Sequence, residues 1–265
     1  MSKRQTVGLG RTAEILSWNK NQVIKLFRDG WSLSSAKWEE NIARKIYEAG
    51  LPVPAVFGIV EVNARHGIIY ERVDGPSMLS LLIAKPEKIE HFADKFAKLH
   101  AQMHSLELTG LPSQRQRLKR KIHTAGPLPD NRKNAALRAL RKLPDGNAVC
   151  HGDFHPDNIL MSSRGPVIID WNDATQGNPH ADIARTLLLL QQGDPLQPVN
   201  IDKEQISSMR SSFIDTYLKS YTKTRPISLE KIELWRLPVA AARLSEGIKE
   251  EEDRLLSIVE TLVQK

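Results

Sequence analysis

A single cysteine, Cys150, stands in 265 residues, so no disulfide can form within the chain and a reducing compartment is expected. Long apolar runs are missing as well. None exceeds the four leucines at 187–190, far too few to span a bilayer, and the opening MSKRQTVGLG has no apolar core of a secretory leader. A cytoplasmic protein with no membrane role is the expectation. Aromatic residues make up only 6% of the chain, and none is interleaved in its two basic runs, RQRLKRKIH at 115–123 and NRKNAALRALRK at 131–142. Those runs hold much of the excess behind a net charge of +7, but nothing in them can stack on bases. Arg138, Arg141 and Lys142 recur at helical spacing, with Leu137 and Leu140 on another face. The runs read as solvated amphipathic helices and no nucleic-acid partner is expected. No internal repeat and no low-complexity tract occurs, which excludes solenoids and disordered arrays. What remains, 40% hydrophobic and 26% charged, is the composition of a soluble globular protein with one large or two smaller domains.

The first seventy-odd residues are patterned as strands around one helix. TAEILSW and NQVIKLF flank a polar turn at 19–21, and AVFGIVEV and HGIIYERV flank another at 63–65. Between the pairs, Ser32 or Ser34 can cap a helix in which Trp38, Ile42 and Ile46 recur at four-residue steps before Gly50 stops it. After Gly75 the pattern changes. Phe92, Phe96, Leu99 and Met103 form a helical stripe over 91–106, NAVC, NILM and PVIIDW read as short strands, and helical patterns return beyond Ala181, one of them a single long run from Ser228. GPLPD and the stretch at 191–200 read as loops. A joint near Val73–Gly75 is expected, dividing residues 1–73 from residues 74–265.

Between two of the short strands lies HGDFHPDNIL, residues 151–160. His151, Asp153, His155 and Asp157 alternate as metal ligands on one face of a strand would, but Pro156 removes a ladder donor and favours an irregular loop. Cys150 and His151 are adjacent and point apart on a strand, a poor arrangement for a thiol nucleophile and its base. Further on, VIIDWNDA places Asp170 at a strand end seventeen residues after Asp153, and Asn158 follows Asp153 by five. An acid that accepts a hydroxyl proton, then an amide, then a second acid form the layout of metal-assisted phosphoryl transfer, in which the amide and the second acid are hard ligands suited to Mg²⁺.

HGDFHPDNIL together with VIIDWNDATQGNPHADIARTL resembles the signature of the aminoglycoside phosphotransferase and choline kinase-like family, relatives of the protein kinases. The resemblance is strongest over 148–187, good from Lys25 to Val73 and weak beyond Gly193. It implies an α+β, bilobal protein kinase-like fold: a small N-terminal sheet with one long helix, then a larger helical lobe. It also implies transfer of the γ-phosphoryl group of ATP (or GTP), with Mg²⁺, to a hydroxyl of a small molecule by a monomer or homodimer. In the resemblance Asp153 is the catalytic base, Asn158 and Asp170 are the metal ligands, His151 supports the loop and Asp182 braces it from the following helix. Lys25 resembles the lysine that holds the α- and β-phosphates and Glu39 its ion-pair partner, with Glu40 next door as the alternative.

GLGRTAE then fits a glycine-bearing strand turn over phosphates, with Gly8, Gly10 and Thr12 near the nucleotide; it lacks the G-K-[ST] of a Walker loop. Residues 67–78 resemble the hinge, where adenine would meet main-chain groups at Glu71 and Val73 with Ile69 and Tyr70 behind. His100 and His104 have zincin spacing without the zincin glutamate, and they are expected to be packing or surface histidines. For the acceptor, Asp157, Asp173 and Glu246 could form an acidic wall suited to a cation such as an aminoglycoside, choline or thiamine, although an acidic stretch like the one after Glu246 is more often the solvated first turn of a helix. A protein kinase is disfavoured because no A-P-E word or phosphosite loop is present. A catalytically silent binding module is disfavoured because Lys25, Asp153, Asn158 and Asp170 are all there.

Overall fold

The protein is described from a computed structural model over residues 5–10, 12–192 and 202–264; the loop expected at 191–200 lies almost wholly outside them. It forms two compact units, one of residues up to Ser80 together with Asp157–Asn172, the other of Leu81–Pro156 and Asp173 onward. Both the boundary at Ser80 and the return of the 157–172 segment to the first unit depart from a single cut after Val73.

The first unit is built on an antiparallel sheet of strands β1 (Thr6–Leu9), β2 (Ala13–Asn19), β3 (Gln22–Phe27), β4 (Val56–Val62) and β5 (Arg65–Glu71), in the order β1-β2-β3-β5-β4. Each turn carries its own instruction. At the β2–β3 turn the Asn21 amide donates to the side-chain oxygen of Asn19 at 2.9 Å. At the β4–β5 turn Asn63 and Ala64 take φ of 52° and 62°, the left-handed pair that matches strand twist. Helix α1 (Leu33–Glu48) is capped by Ser32, whose hydroxyl accepts from the Ser35 amide, so Ser34 is not the cap. It buries Ala36, Glu39, Ile42, Ala43 and Ile46.

Trp38 departs from the expected stripe and is 47% exposed. Steps of four residues advance about 40° past a full turn each, so counting back from Ile46 through Ile42 carries Trp38 off the buried face, and Glu39 takes its place. The remaining part of this unit is a hairpin of β7 (Ile159–Ser162) and β8 (Gly165–Ile168). It is tied to the rest of the unit by the Met161 amide on the Pro76 carbonyl and the Ile168 amide on the Pro52 carbonyl.

The second unit is helical. Helix α2 (Met78–Ala84) runs across the boundary. It is followed by α3 (Ile89–His104), α4 (Gln114–Thr124), α5 (Asp130–Lys142), α6 (Pro179–Gln192), α7 (Lys203–Thr224), α8 (Leu229–Arg243) and α9 (Lys249–Gln264). The single long helix expected from Ser228 is in fact α8 and α9, separated at Gly247, whose φ is 65°. The stripe on α3 is as read, and Phe96 packs edge-on against Phe213 and Tyr217 of α7. Two short strands, β6 (Ala148–Cys150) and β9 (Thr175–Gly177), pair antiparallel and carry the segment that starts at His151. The basic runs form α4 and α5, and much of their charge is spent inside the unit. Arg115 donates to the Leu140 and Leu143 carbonyls at the end of α5 and pairs with Asp145 at 2.5 Å, while Arg132 pairs with Glu260. No helix among the described residues is long and apolar enough to cross a membrane.

Candidate active site

Residues 151–158 do not continue the strand. Gly152 takes φ of 77°, and a Cβ there would lie 2.6 Å from the Asp173 carbonyl oxygen, so only glycine fits. Pro156 opens a 3₁₀ turn to Asn158. The loop is held from α6 by three side chains spaced i, i+3, i+4 on one helical face. Asp182 accepts the His151 and Gly152 amides, each at 2.8 Å. Arg185 donates from Nε to the Gly152 carbonyl, and Thr186 donates to the Phe154 carbonyl at 3.0 Å. The resemblance pointed to Asp182; Arg185 and Thr186 were missed, although their helical spacing from Asp182 was a signal that could have found them.

Asp182 is fully buried and rests on a further layer. His100 and His104, one turn apart on α3, each bring Nε2 to 3.2 Å from its Oδ2, and their Nδ1 atoms meet the hydroxyls of Tyr217 and Tyr221 at 2.8 Å. One assignment satisfies every group: Nε2–H donates to the carboxylate and Nδ1 accepts the tyrosine proton, both rings neutral. Burial, reinforced by the neighbouring His104, pushes the His100 pKa down to about 3 against the pull of Asp182, which suits that assignment. Burial also acts on Asp182, in the upward direction, but the histidine hydrogen bonds prevail and hold its carboxyl well below the usual range. These three residues could geometrically surround a metal ion, yet the tyrosines and loop amides already use their polar atoms.

Asp153 follows the clamped amides. Its own amide donates to His151 Nδ1 at 3.2 Å, Arg185 Nη2 lies 3.2 Å from one carboxylate oxygen and His155 Nε2 3.5 Å from the other. Burial alone would raise this carboxyl, but the His155 hydrogen bond and the Arg185 charge outweigh it and leave it depressed.

In the first unit, Lys25 on β3 places its ammonium 2.7 Å from Glu39 of α1 and 2.9 Å from Asp170. Burial disfavours this ammonium, yet the Asp170 and Glu39 charges more than compensate and raise its pKa. Glu40 instead pairs with Arg44 one turn on. Asp170 sits just past β8 with φ of 62°, a left-handed conformation that aspartate, with its short polar side chain, adopts more readily than most non-glycine residues. The β7–β8 hairpin brings Asn158 to the same end: Ile159 pairs with Ile168, and the Asn158 carbonyl accepts the Ile169 amide at 3.0 Å. The donor set tests well for a magnesium ion. Asn158 and Asp170 offer hard oxygens, and Glu39 Oε2 is buried with no hydrogen-bond partner. Two carboxylates therefore share one lysine, an excess of negative charge that a cation relieves.

The other expected nucleotide contacts are less open. Gly8 lies in β1 at an irregularity of the β1–β2 register. The Gly10 amide donates to Ala13 and its carbonyl accepts from Arg28, while the Thr12 carbonyl accepts the Arg28 amide. Glu71 donates its amide to the Ala55 carbonyl and gives its carboxylate to Arg164 and the Ala55 amide. Val73 makes no main-chain hydrogen bond among the described residues. Of the acceptor residues, Asp173 and Glu246 line one cavity of the second unit, and Asp157 does not. Asp173 pairs with Arg117 and Lys121, and Glu246 with Lys121, Arg185 and Arg243. The charges of those cations outweigh the effect of burial on Glu246 and hold its carboxyl down to about 2.

Residues 10–226, most of the chain, match the model of the phosphotransferase enzyme family. The chain belongs to that family. Membership makes it a small-molecule phosphotransferase, an enzyme that passes a phosphoryl group to a hydroxyl acceptor. Solved structures share the fold at low identity. An aminoglycoside-3'-phosphotransferase of type VIII is 21% identical, with 91% of this chain and 93% of that one covered and a TM-score of 0.63. The ternary complex of a thermostable mutant of APH(4)-Ia with AMP-PNP and hygromycin B is 14% identical over 99% and 93%, at 0.68. A choline/ethanolamine kinase family protein from Mesorhizobium loti is 13% identical over 100% and 89%, at 0.63. No curated protein sequence matches. Within the family's fold, the clamp on residues 151–154 and the Lys25 ion pairs are built from this chain's own residues.

Proposed function

We propose that this phosphotransferase moves the γ-phosphoryl group of ATP (or GTP) to an alcohol hydroxyl of a small molecule, with Asp153, Lys25, Glu39, Asn158 and Asp170 as its working residues. The observation that carries the reading is the meeting of Lys25, Glu39 and Asp170 from three separate elements at 2.7 and 2.9 Å, in which a buried carboxylate and a largely buried ammonium meet an exposed aspartate, an arrangement that packing alone does not call for. Lys25 holds the α- and β-phosphates, kept in place by Glu39. Asn158 and Asp170 hold Mg²⁺, which neutralises charge on the phosphate oxygens. Val73 supplies main-chain groups for the base. A bond forms between the acceptor oxygen and the γ-phosphorus as the bond to the bridging oxygen breaks, ADP (or GDP) leaves, and the hydroxyl proton passes to Asp153 or onward to water. Most of the rate comes from positioning and charge neutralisation, since the transition state asks for little covalent help.

The nucleotide half of the proposal is tested by thermal unfolding with Mg²⁺ and AMP-PNP. Stabilisation is expected in the wild type and its loss in Asp170→Ala; persistence of the full shift in the variant would remove Asp170 from the metal site. The catalytic half is tested with any accepted alcohol: Asp153→Asn lowers kcat on the order of a hundredfold or more, and an unaffected kcat would refute the role of Asp153. A cationic acceptor, the expectation from the acidic residues alone, has less support now that Asp173 and Glu246 are both engaged by cations of the protein.

A further inference from the structure

We infer that the acceptor alcohol carries an oxyanion of its own, a carboxylate or a phosphate, held by Arg117 and Lys121 in the cavity next to Asp153. The inference rests on the phosphotransferase reading and names the substrate class of that same site. The cavity lies within the second unit and has a volume of about 50 Å³, room for a small head group rather than a fused ring system. Helix α4 lines it with Arg117 and Lys121, one turn apart on one face. Arg185 and Arg243 add two further cations, against three carboxylates, Asp173, Asp182 and Glu246. Arg185 joins the cavity to the Asp153 carboxylate, because its Nη2 lies 2.9 Å from Glu246 and 3.2 Å from Asp153.

One buried donor of the cavity is left without an acceptor. Asp182 is taken up by the loop amides and the two histidines, and Asp173 and Glu246 already receive Arg117, Lys121, Arg185 and Arg243. Arg117 Nε, by contrast, is buried with no acceptor. The bonds from Lys121, at 3.4 Å to Asp173 and 3.2 Å to Glu246, are long for charge-assisted contacts, which close to about 2.7–2.9 Å when well made. Burial, together with the other cations, lowers Arg117 to about 10 and burial foremost lowers Lys121 to about 8. An incoming ammonium would add a fifth cation beside Arg117, Lys121, Arg185 and Arg243, whereas an oxyanion supplies the acceptor that Arg117 Nε lacks and a closer partner for Lys121.

The test measures thermal shift in saturating Mg²⁺ and AMP-PNP, so that the nucleotide site is filled, with D-glycerate and glycerol 3-phosphate set against glycerol, choline and kanamycin. At least one of the two oxyanion probes is expected to give a saturable shift that glycerol does not, and the stronger of the two identifies carboxylate or phosphate. Arg117→Gln and Lys121→Gln should each weaken that probe at least tenfold while the AMP-PNP shift persists, which shows the variants folded. Failure of both oxyanion probes overturns the inference, as does undiminished binding in both variants or preference for choline or kanamycin. Absence of any AMP-PNP shift in the wild type would instead strike at the phosphotransferase reading.

Discussion

Asp153 grips its proton weakly, with burial outweighed by His155 and Arg185, and that decides which service it can give. A strong base would need a pKa near the working pH; a carboxylate held low is better suited to aligning a hydroxyl whose proton leaves late in a loose transition state. Glu246 is held low in the same charge network. Held down to about 2 against the ordinary glutamate value of 4.5, it gives a contribution to stability that is complete above about 4.5 and drains away as the pH falls toward 2. Urea unfolding across that window should therefore lose stability less steeply in Glu246→Gln than in the wild type. Equal slopes would show that Glu246 does not carry the acid sensitivity. The positions of Asp153, Asn158 and Asp170 were legible because they sit in one ordered signature. Arg117 and Lys121 were not: in sequence they are two letters of a basic run, and only the fold sets them against Asp173 and Glu246.

The elements of the first unit were written plainly, since two turn signals and one capping serine delimit strands and helix with little competition. Ala64 is the local exception, a residue with a Cβ at φ of 62° in the β4–β5 turn. Ala64→Gly should relieve about 1 kcal/mol of that strain, less the entropy glycine gains on unfolding. The unfolding midpoint is expected to rise by about a degree or two, and a fall would show that the turn already accommodates alanine. Elsewhere the sequence was less explicit for physical reasons. Strand β9 is three residues long, below the length at which alternation can register, and β1 is barely longer. The run from Ser228 kept its helical period through Gly247, so periodicity alone could not reveal the break between α8 and α9. His100 and His104, expected as packing or surface histidines, are both buried, and their service to Asp182 depends on tyrosines more than a hundred residues away.

At the scale of the whole chain, a charge of +7 and a pI near 9.5 would ordinarily suggest attraction to polyanions. The distribution of the charge argues otherwise. Arg115 closes the end of α5, Arg132 reaches Glu260, and Arg117, Lys121, Arg185 and Arg243 share Asp153, Asp173, Glu246 and Glu251. A guanidinium already paired with a carboxylate releases few counterions when it approaches a phosphate backbone, and the salt dependence of binding counts those released ions. Measured by fluorescence anisotropy with duplex DNA between about 50 and 200 mM salt, log affinity should fall against log salt with a slope of magnitude no more than about 3, the diffuse attraction of a basic surface. A steeper slope would mean that a set of cations aligns on the phosphates together, and α4 and α5 would then have to be reassigned from internal scaffolding to a nucleic-acid surface. The same pairing explains why composition misleads here: the excess positive charge counts residues, whereas recognition depends on the donors that remain without acceptors after folding, and one of these, Arg117 Nε, is buried in the cavity that α4 lines.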